Sequence, residues 1–164
     1  YRLGKPSIAA VSGAARGGGM TLAISCDLIV AAEDASFGYP EIDVGMLPAI
    51  HFTHLPRIVG RHVAFDLLFT GRSFTASEAQ TLHLVNRVVP VDKVLEEARS
   101  LAASLAGKSA SAMRIGRAAF HRAVDSDYRR GVSYAVDTFC RVAATDDARE
   151  GIAAFVEKRR ASWS

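Results

Sequence analysis

Apolar residues recur every three or four positions throughout the second half of the chain. This spacing places them along one face of an α-helix and leaves polar residues on the opposite face. It predicts four helices, with apolar stripes at residues 91–105, 113–123, 128–143 and 148–159. Stripes this regular need a surface to pack against, either in this chain or on another subunit.

Residues 1–90 show shorter apolar runs that glycine and proline interrupt. Thr75-Ala-Ser-Glu78 has the form of a capping box, so a helix should begin there, with Glu78 reaching back to the first turn. The other predicted elements are strands at 7–12, 27–32 and 85–89, a glycine-rich turn at 13–19, and helices at 20–25, 49–58 and 61–69. The pattern therefore predicts an α/β region over residues 1–90 and a helical region over 91–164.

Composition narrows the class of protein. The 164 residues are 49% hydrophobic and 23% charged, which excludes a disordered segment or a disulfide-stapled miniprotein. Cys26 and Cys140 match no zinc, haem or redox spacing, which favours two buried, reduced thiols in a cytoplasmic protein. The apolar run at 28–32 is too short for a membrane span. Basic residues are interleaved with acidic ones, as on solvated helices, so the net charge of +3 does not predict a nucleic-acid partner.

The sequence Gly13-Ala-Ala-Arg-Gly-Gly-Gly19 lies between a predicted strand and a predicted helix. It lacks the Gly-Lys-Ser/Thr ending of a phosphate loop, and its glycines do not fit the dinucleotide pattern G-x-G-x-x-G. Two interpretations remain for it. It is either a tight turn without chemistry or a helix N-terminus whose backbone amides stabilise a developing negative charge.

The glycine loop is the first part of a longer pattern. A-V-x-G-x-A-x-G-G-G at 10–19 is followed by C-D-x-x-x-A at 26–31 and by A-x-F-G-x-P-E-I-x-x-G at 35–45. This combination resembles the enoyl-CoA hydratase/isomerase (crotonase) family, and the resemblance continues through residues 144–159. It implies a crotonase-like ββα spiral, here partial, followed by a C-terminal helical region that builds trimers and often hexamers.

The resemblance also implies a site for acyl-CoA thioesters, in which two backbone amides stabilise a thioester enolate. Gly18 matches the position of one amide, and Glu41 matches a catalytic carboxylate. No metal or separate cofactor is expected, because coenzyme A enters as part of the substrate. Phe155 and Lys158 match positions that contact the CoA adenine and ribose phosphate, often on a neighbouring subunit, although Lys158 also fits an ordinary exposed helix lysine. Further substrate contacts are expected from Gly17, Thr21 and Pro40.

Two short segments depart from the family pattern. Hydratases of the family carry a second glutamate in G-G-G-x-E, where this chain has Thr21. Hydration needs one group to hold and deprotonate water and another to deliver a proton to carbon, whereas one glutamate suffices to move a double bond. An isomerase is therefore narrowly preferred over a hydratase. Asp43 is either a substitute carboxylate or, preferably, an exposed loop residue. The usual glycine pair after P-E-I is changed to Pro48-Ala-Ile-His51-Phe. His51 and His54 either border the acyl pocket or, preferably, lie on a helix surface, and no third ligand is spaced for a metal site.

Length is the third departure. No A-G-x-D-type segment precedes Ser7, although the family carries its other oxyanion amide in such a segment. The chain is therefore expected to be the C-terminal part of a crotonase domain and to be weakly active or inactive alone. The alternative is a non-catalytic acyl-CoA-binding or assembly subunit. The residues indicate neither the acyl chain nor the pathway.

Overall fold

The structure, a computed structural model, describes residues 3–163. These residues form two compact units, one of residues 7–101 and one of residues 3–6 with 102–163. The helices and strands are β1 Ile8–Val11, β2 Ala14–Arg16, α1 Gly18–Ser25, β3 Leu28–Ala32, β4 Ser36–Gly38, α2 His51–Val59, α3 Arg61–Thr70, β5 Phe74–Thr75, α4 Ala76–Thr81, β6 Arg87–Val89, α5 Val94–Ala106, α6 Ala110–Val124, α7 Tyr128–Ala143 and α8 Asp146–Val156. Short 3₁₀ helices cover Pro40–Val44 and Val91–Lys93. Within the described part, no helix combines the length and apolar character that crossing a membrane requires.

The first sheet has the strand order β1-β3-β6, and both pairings are parallel. The central strand β3 is apolar throughout, as expected for a parallel strand covered on both faces. The pairing of β3 with β6 is continued by Asn86, which directly precedes β6. Asn86 Oδ1 accepts a 2.7 Å bond from the Ile29 amide, and the Asn86 amide donates to the Ile29 carbonyl at 2.9 Å. The strand predicted at 85–89 is therefore regular only over Arg87–Val89, because the amide side chain of Asn86 replaces one backbone partner.

The second sheet has the order β2-β4-β5, with β2 parallel and β5 antiparallel to β4. The prediction of a turn throughout 13–19 is wrong, because Ala14–Arg16 form a strand that buries Ala15 against its neighbours. Three residues are too few to show an alternating pattern, so the pairing with Ser36–Gly38 was not visible in the sequence. This pairing brings the glycine loop beside the segment that begins at Tyr39.

The helix predicted from the capping box begins where expected. Thr75 Oγ1 accepts a 3.1 Å bond from the Glu78 amide and caps α4. The predicted return bond from Glu78 is not formed, because its carboxylate binds Arg72 Nη2 at 2.7 Å instead. Arg72 also donates to Asp66 at 2.7 Å, so the guanidinium joins the end of α3 to the start of α4.

The core of the 7–101 unit draws on every part of that unit, and β3 and α3 are its largest contributors. The start of α5 belongs to this same core, since Val94 and Ala98 are buried in it and Leu101 packs against it. This contact explains why the compact unit continues to residue 101. The division into domains at 1–90 and 91–164 stays a prediction.

The second unit is built from α6, α7 and α8, which confirms the helical periodicity predicted there. Asp147 is buried and accepts bonds from Ser109 Oγ at 2.6 Å and Ser111 Oγ at 2.7 Å, which ties the start of α8 to the start of α6. Large apolar side chains nevertheless stay exposed on this unit, among them Phe120, Val132, Val136, Phe139, Ile152 and Phe155.

Replacing Gly71 with alanine should destabilise the fold more than the same change at Gly45. Both glycines have left-handed backbones, with φ of 66° and 73°, so each alanine costs about 1–2 kcal/mol. Only at Gly71 would the new Cβ also collide, at 2.8 Å from Ile42 Cγ2. We expect Gly71→Ala to cost roughly 1–3 kcal/mol more than Gly45→Ala in denaturant unfolding. Equal losses would contradict the close packing of the 3₁₀ segment against Gly71.

Candidate active site

The glycine loop turns sharply into α1 at Gly17, whose φ of 53° and ψ of −118° are accessible only to glycine. The Gly17 amide donates to the Gly38 carbonyl at 3.3 Å, which continues the β2–β4 pairing. The first bond of the helix runs from the Thr21 amide to the Gly17 carbonyl at 3.0 Å, and no side chain among the described residues caps α1. The amides of the first turn, including that of Gly18, therefore remain available to an anion at the positive end of the helix dipole.

Glu41 lies directly against this turn. It belongs to the 3₁₀ helix Pro40–Val44, in which Pro40 occupies a first-turn position that needs no amide donor. A Cβ built on Gly17 would lie 3.4 Å from Glu41 Oε1 and 3.7 Å from Cδ, which is ordinary van der Waals contact and shows how close the carboxylate lies to this turn. The half-buried Glu41 and the start of α1 are thus neighbours in space although they are distant in sequence.

His51 is the main correction to the sequence interpretation. It was expected on a helix surface, but its side chain is fully buried. Nε2 lies 3.0 Å from Thr21 Oγ1, and the imidazole lies against the Tyr39 ring, with centroids 4.6 Å apart and planes inclined by 60°. The reason is that α2 starts at His51 and turns its first residue inward.

The electrostatics of this cluster follow from burial and from the charge of Glu41. Burial raises the pKa of Tyr39, and the negative charge of Glu41 raises it further, so the phenol stays protonated. Burial lowers the pKa of His51; Glu41 opposes that shift and His54 adds to it. A neutral imidazole and a protonated phenol therefore lie beside the carboxylate.

The structure brings together five of the predicted site residues, namely Gly17, Gly18, Thr21, Pro40 and Glu41. Asp43 is exposed, as preferred from the sequence, and its carboxylate lies near Gly71. Phe155 and Lys158 belong to the other compact unit, where Phe155 is 84% exposed and Lys158 follows α8 with a φ of 54°. Their roles at CoA stay predictions.

Sequence reasoning missed Tyr39 as a site residue and misplaced His51. Tyr39 directly precedes Pro40-Glu41, so the motif itself pointed to it, but an aromatic residue next to a motif carries no chemical signature. For His51 the apolar neighbours Ile50 and Phe52 were the only signal, and both are more exposed than the histidine between them. Where the structure is described, no three His, Cys, Asp or Glu side chains are grouped to hold a metal ion.

Comparison with known proteins identifies the family. The model of the enoyl-CoA hydratase/isomerase family matches residues 1–164. The chain belongs to this family. It is 46% identical over 155 residues to a probable enoyl-CoA hydratase of Mycobacterium bovis, covering 94% of this chain and 60% of that protein. It is 41% identical over 160 residues to crotonyl-CoA hydratase of Syntrophomonas wolfei, covering 97% and 62%.

Solved structures of the family share the fold. An enoyl-CoA hydratase subunit of Geobacillus kaustophilus superposes with a TM-score of 0.95 at 40% identity, over 99% of this chain and 64% of that one. The predicted α/β crotonase fold with a helical C-terminal region is thereby confirmed. The chain spans about three fifths of the length of the family members that it matches.

Acidification should weaken the fold through His51. Its pKa is below 6.5 in the folded protein, so the unfolded chain binds more protons once the pH falls below about 6.5. Stability should therefore decrease as the pH falls from about 6.5 to the folded pKa, by up to ~1.4 kcal/mol per pH unit. Denaturant unfolding at several pH values should show a shallower decrease for His51→Gln. Identical slopes for both proteins would mean that His51 is not held neutral by the fold.

Proposed function

We propose that this chain is part of an acyl-CoA enzyme that stabilises a thioester enolate, with Glu41 as its proton-transfer group. One observation carries the proposal: the Glu41 carboxylate lies against Gly17, at the uncapped N-terminal turn of α1. A base and a set of free backbone amides are thus available to one small substrate group. Enolate chemistry needs this combination, because a proton leaves or joins carbon while negative charge develops on the thioester oxygen.

In this proposal the Gly18 amide donates to the thioester oxygen. Cβ atoms built on Gly18 and Gly19 meet nothing within 4 Å, so the backbone of this turn is open to a closely approaching ligand. The helix dipole adds to the stabilisation of the enolate oxygen. Gly17, Thr21 and Pro40 surround the same position and are proposed as substrate contacts.

Hydration of a 2-enoyl-CoA is the first candidate reaction. The names of the relatives support it, since the matched proteins of Mycobacterium bovis and Syntrophomonas wolfei are both described as hydratases. In this reaction the oxygen of water bonds to C3, one of its protons is taken by a base, and a proton is delivered to C2. Glu41 performs one of these proton transfers.

A shift of the double bond is the second candidate, and a specific observation favours it. The hydroxyl of Thr21, which follows the glycine turn in α1, binds His51 and cannot act as a base near neutral pH. A single carboxylate can remove a proton from C2 of a 3-enoyl-CoA and return it to C4. Both reactions place negative charge on the thioester oxygen, so both can use the same backbone amides. They differ in the bonds that form, C3–O and C2–H in hydration and C4–H in the double-bond shift.

The CoA end of the substrate is assigned to Phe155 and Lys158. The exposed ring of Phe155 can stack on the adenine, and the Lys158 ammonium can pair with the ribose phosphate. The exposed apolar side chains of the helical unit support assembly into a homotrimer or hexamer, in which these two residues serve a neighbouring copy.

Replacing Glu41 with glutamine should lower turnover at least ~100-fold in a protein with the length of the family members, because the amide cannot accept the proton. The matched control is Asp43→Asn, which removes a nearby exposed carboxylate and should keep normal turnover. Crotonyl-CoA hydration and the shift of a 3-enoyl-CoA should be measured side by side, since the faster reaction identifies the activity. Normal turnover of Glu41→Gln would refute the role of Glu41. CoA binding without either reaction would favour a non-catalytic acyl-CoA-binding subunit.

Removing the charge of Lys158 should weaken the binding of CoA more than that of dephospho-CoA, because only CoA carries the ribose phosphate. Calorimetric titration of Lys158→Ala with both ligands measures the difference. Arg160→Ala removes the same unit charge two residues away and serves as the control. Equal weakening for the two ligands would identify Lys158 as an ordinary surface lysine.

A further inference from the structure

Three buried side-chain atoms beside the site have no hydrogen-bond partner among the described residues. They are the Tyr39 hydroxyl, Glu41 Oε2 and His51 Nδ1. The Tyr39 and His51 side chains are both 0% exposed. A buried polar atom without a partner typically costs about 1–3 kcal/mol, so each such atom in a folded protein needs a physical explanation.

The three residues that carry these atoms are neighbours and form one cluster. The rings of Tyr39 and His51 are in contact, and Glu41 follows Tyr39 by two residues at the start of the same 3₁₀ helix. The charge of Glu41 acts on both rings, since it raises the pKa of Tyr39 and opposes the fall in the pKa of His51. The other oxygen of the carboxylate, Oε1, faces Gly17. Glu41 thus turns one oxygen towards the glycine loop and buries the other.

The proton of Thr21 indicates which tautomer His51 adopts. Thr21 Oγ1 lies 3.0 Å from His51 Nε2 and 3.3 Å from the Gly17 carbonyl, but a hydroxyl has only one proton to donate. The Gly17 carbonyl already accepts the Thr21 amide at 3.0 Å, whereas Nε2 has Thr21 as its one partner among the described side chains. Donation from Thr21 to Nε2 leaves the ring proton on Nδ1, so that Nδ1 becomes a donor.

This tautomer gives the cluster two donors and one acceptor. The Tyr39 hydroxyl and His51 Nδ1–H can donate, and Glu41 Oε2 has two lone pairs to accept them. With the opposite tautomer, Nδ1 and Oε2 would both be acceptors, and one of them would stay unpaired. None of the three atoms forms a hydrogen bond with the described residues in this structure. Catalytic hydrogen bonds are often unformed in sites without substrate and tighten in the reacting complex.

We propose that His51, anchored by Thr21 and assisted by Tyr39, is a positioning residue for Glu41. The two donors hold Oε2, fix the carboxylate plane and leave Oε1, beside Gly17, as the oxygen that exchanges protons with the substrate. His51 touches no substrate in this arrangement and acts only through Glu41. This inference rests on the proposed function, because it requires that Glu41 is the proton-transfer group.

The tautomer can be tested without any activity. Nitrogen-15 NMR of the histidine-labelled wild-type protein near pH 7.5 distinguishes a protonated from an unprotonated ring nitrogen. We expect His51 to be neutral with its proton on Nδ1. A proton on Nε2 would overturn the proposal, because Nδ1 would then have nothing to donate to Glu41. Since this measurement needs no substitution, it remains decisive even if the His51 variants fold poorly.

Two amide substitutions of His51 each keep one of the two ring-nitrogen positions, so their turnover shows which nitrogen matters. In His51→Asn the amide takes the place of Nδ1 and can still donate to Glu41, but it cannot reach Thr21. In His51→Gln the amide takes the place of Nε2 and keeps the bond to Thr21. We expect the glutamine variant to lose on the order of 10- to 100-fold in kcat with little change in KM, and the asparagine variant to retain more of kcat.

The opposite order would show that His51 matters only for packing and for its bond to Thr21, and equal losses would likewise overturn the positioning role. Glu41→Gln separates this outcome from a failure of the proposed function. If that variant turns over normally, the proposed function is refuted whatever the tautomer of His51. If it is inactive while His51→Gln is fully active, only the positioning role is refuted.

Discussion

The site depends on the parallel pairing of two three-residue strands, β2 and β4. This pairing continues through the bond from the Gly17 amide to the Gly38 carbonyl, which fixes where β2 ends and where the next segment starts. Each strand leads directly into a functional element, β2 into the start of α1 and β4 into the 3₁₀ helix that carries Glu41. A slip of one residue in this register would turn every side chain to the other face and separate the carboxylate from the amides.

The polar side chains of Tyr39 and His51 lie in a core that is almost entirely apolar, and the low dielectric of such a core makes their unpaired atoms costly. Phe37 stacks on Phe74 across β4 and β5 with centroids 5.8 Å apart, and Met20 of α1 is fully buried. Phe37 and Met20 flank the glycine turn from the β4 side and the α1 side. The burial of apolar surface around the turn offsets the cost of the unpaired atoms of Tyr39 and His51.

Much of the fold could be predicted from the sequence, and the limits have physical causes. Long helices such as α5 and α7 are predicted by an apolar stripe that repeats over several turns. The start of α4 is predicted by Thr75, whose side chain caps the first turn. Strands of two or three residues, such as β2 and β5, are too short to show a period and form only because a partner strand is present. Glu41 and Gly18 were predicted as site residues from their motifs, and the motifs lie next to each other in the structure. The burial of His51 was not predicted, because it depends on how α2 is docked, which no local pattern encodes.

The uncapped start of α1 has a consequence for engineering this chain. Two glycines inside the first turn and a third at the N-cap make α1 intrinsically weak, since each helical glycine costs about 1 kcal/mol relative to alanine. A serine or aspartate at the N-cap is the usual remedy for such a helix. At Gly17, however, the left-handed φ of 53° would strain any side chain, and the added oxygen would occupy the amides that we propose for the thioester oxygen. Thermostable versions of this chain should therefore be sought in its surface helices, where a stabilising substitution leaves the start of α1 uncapped.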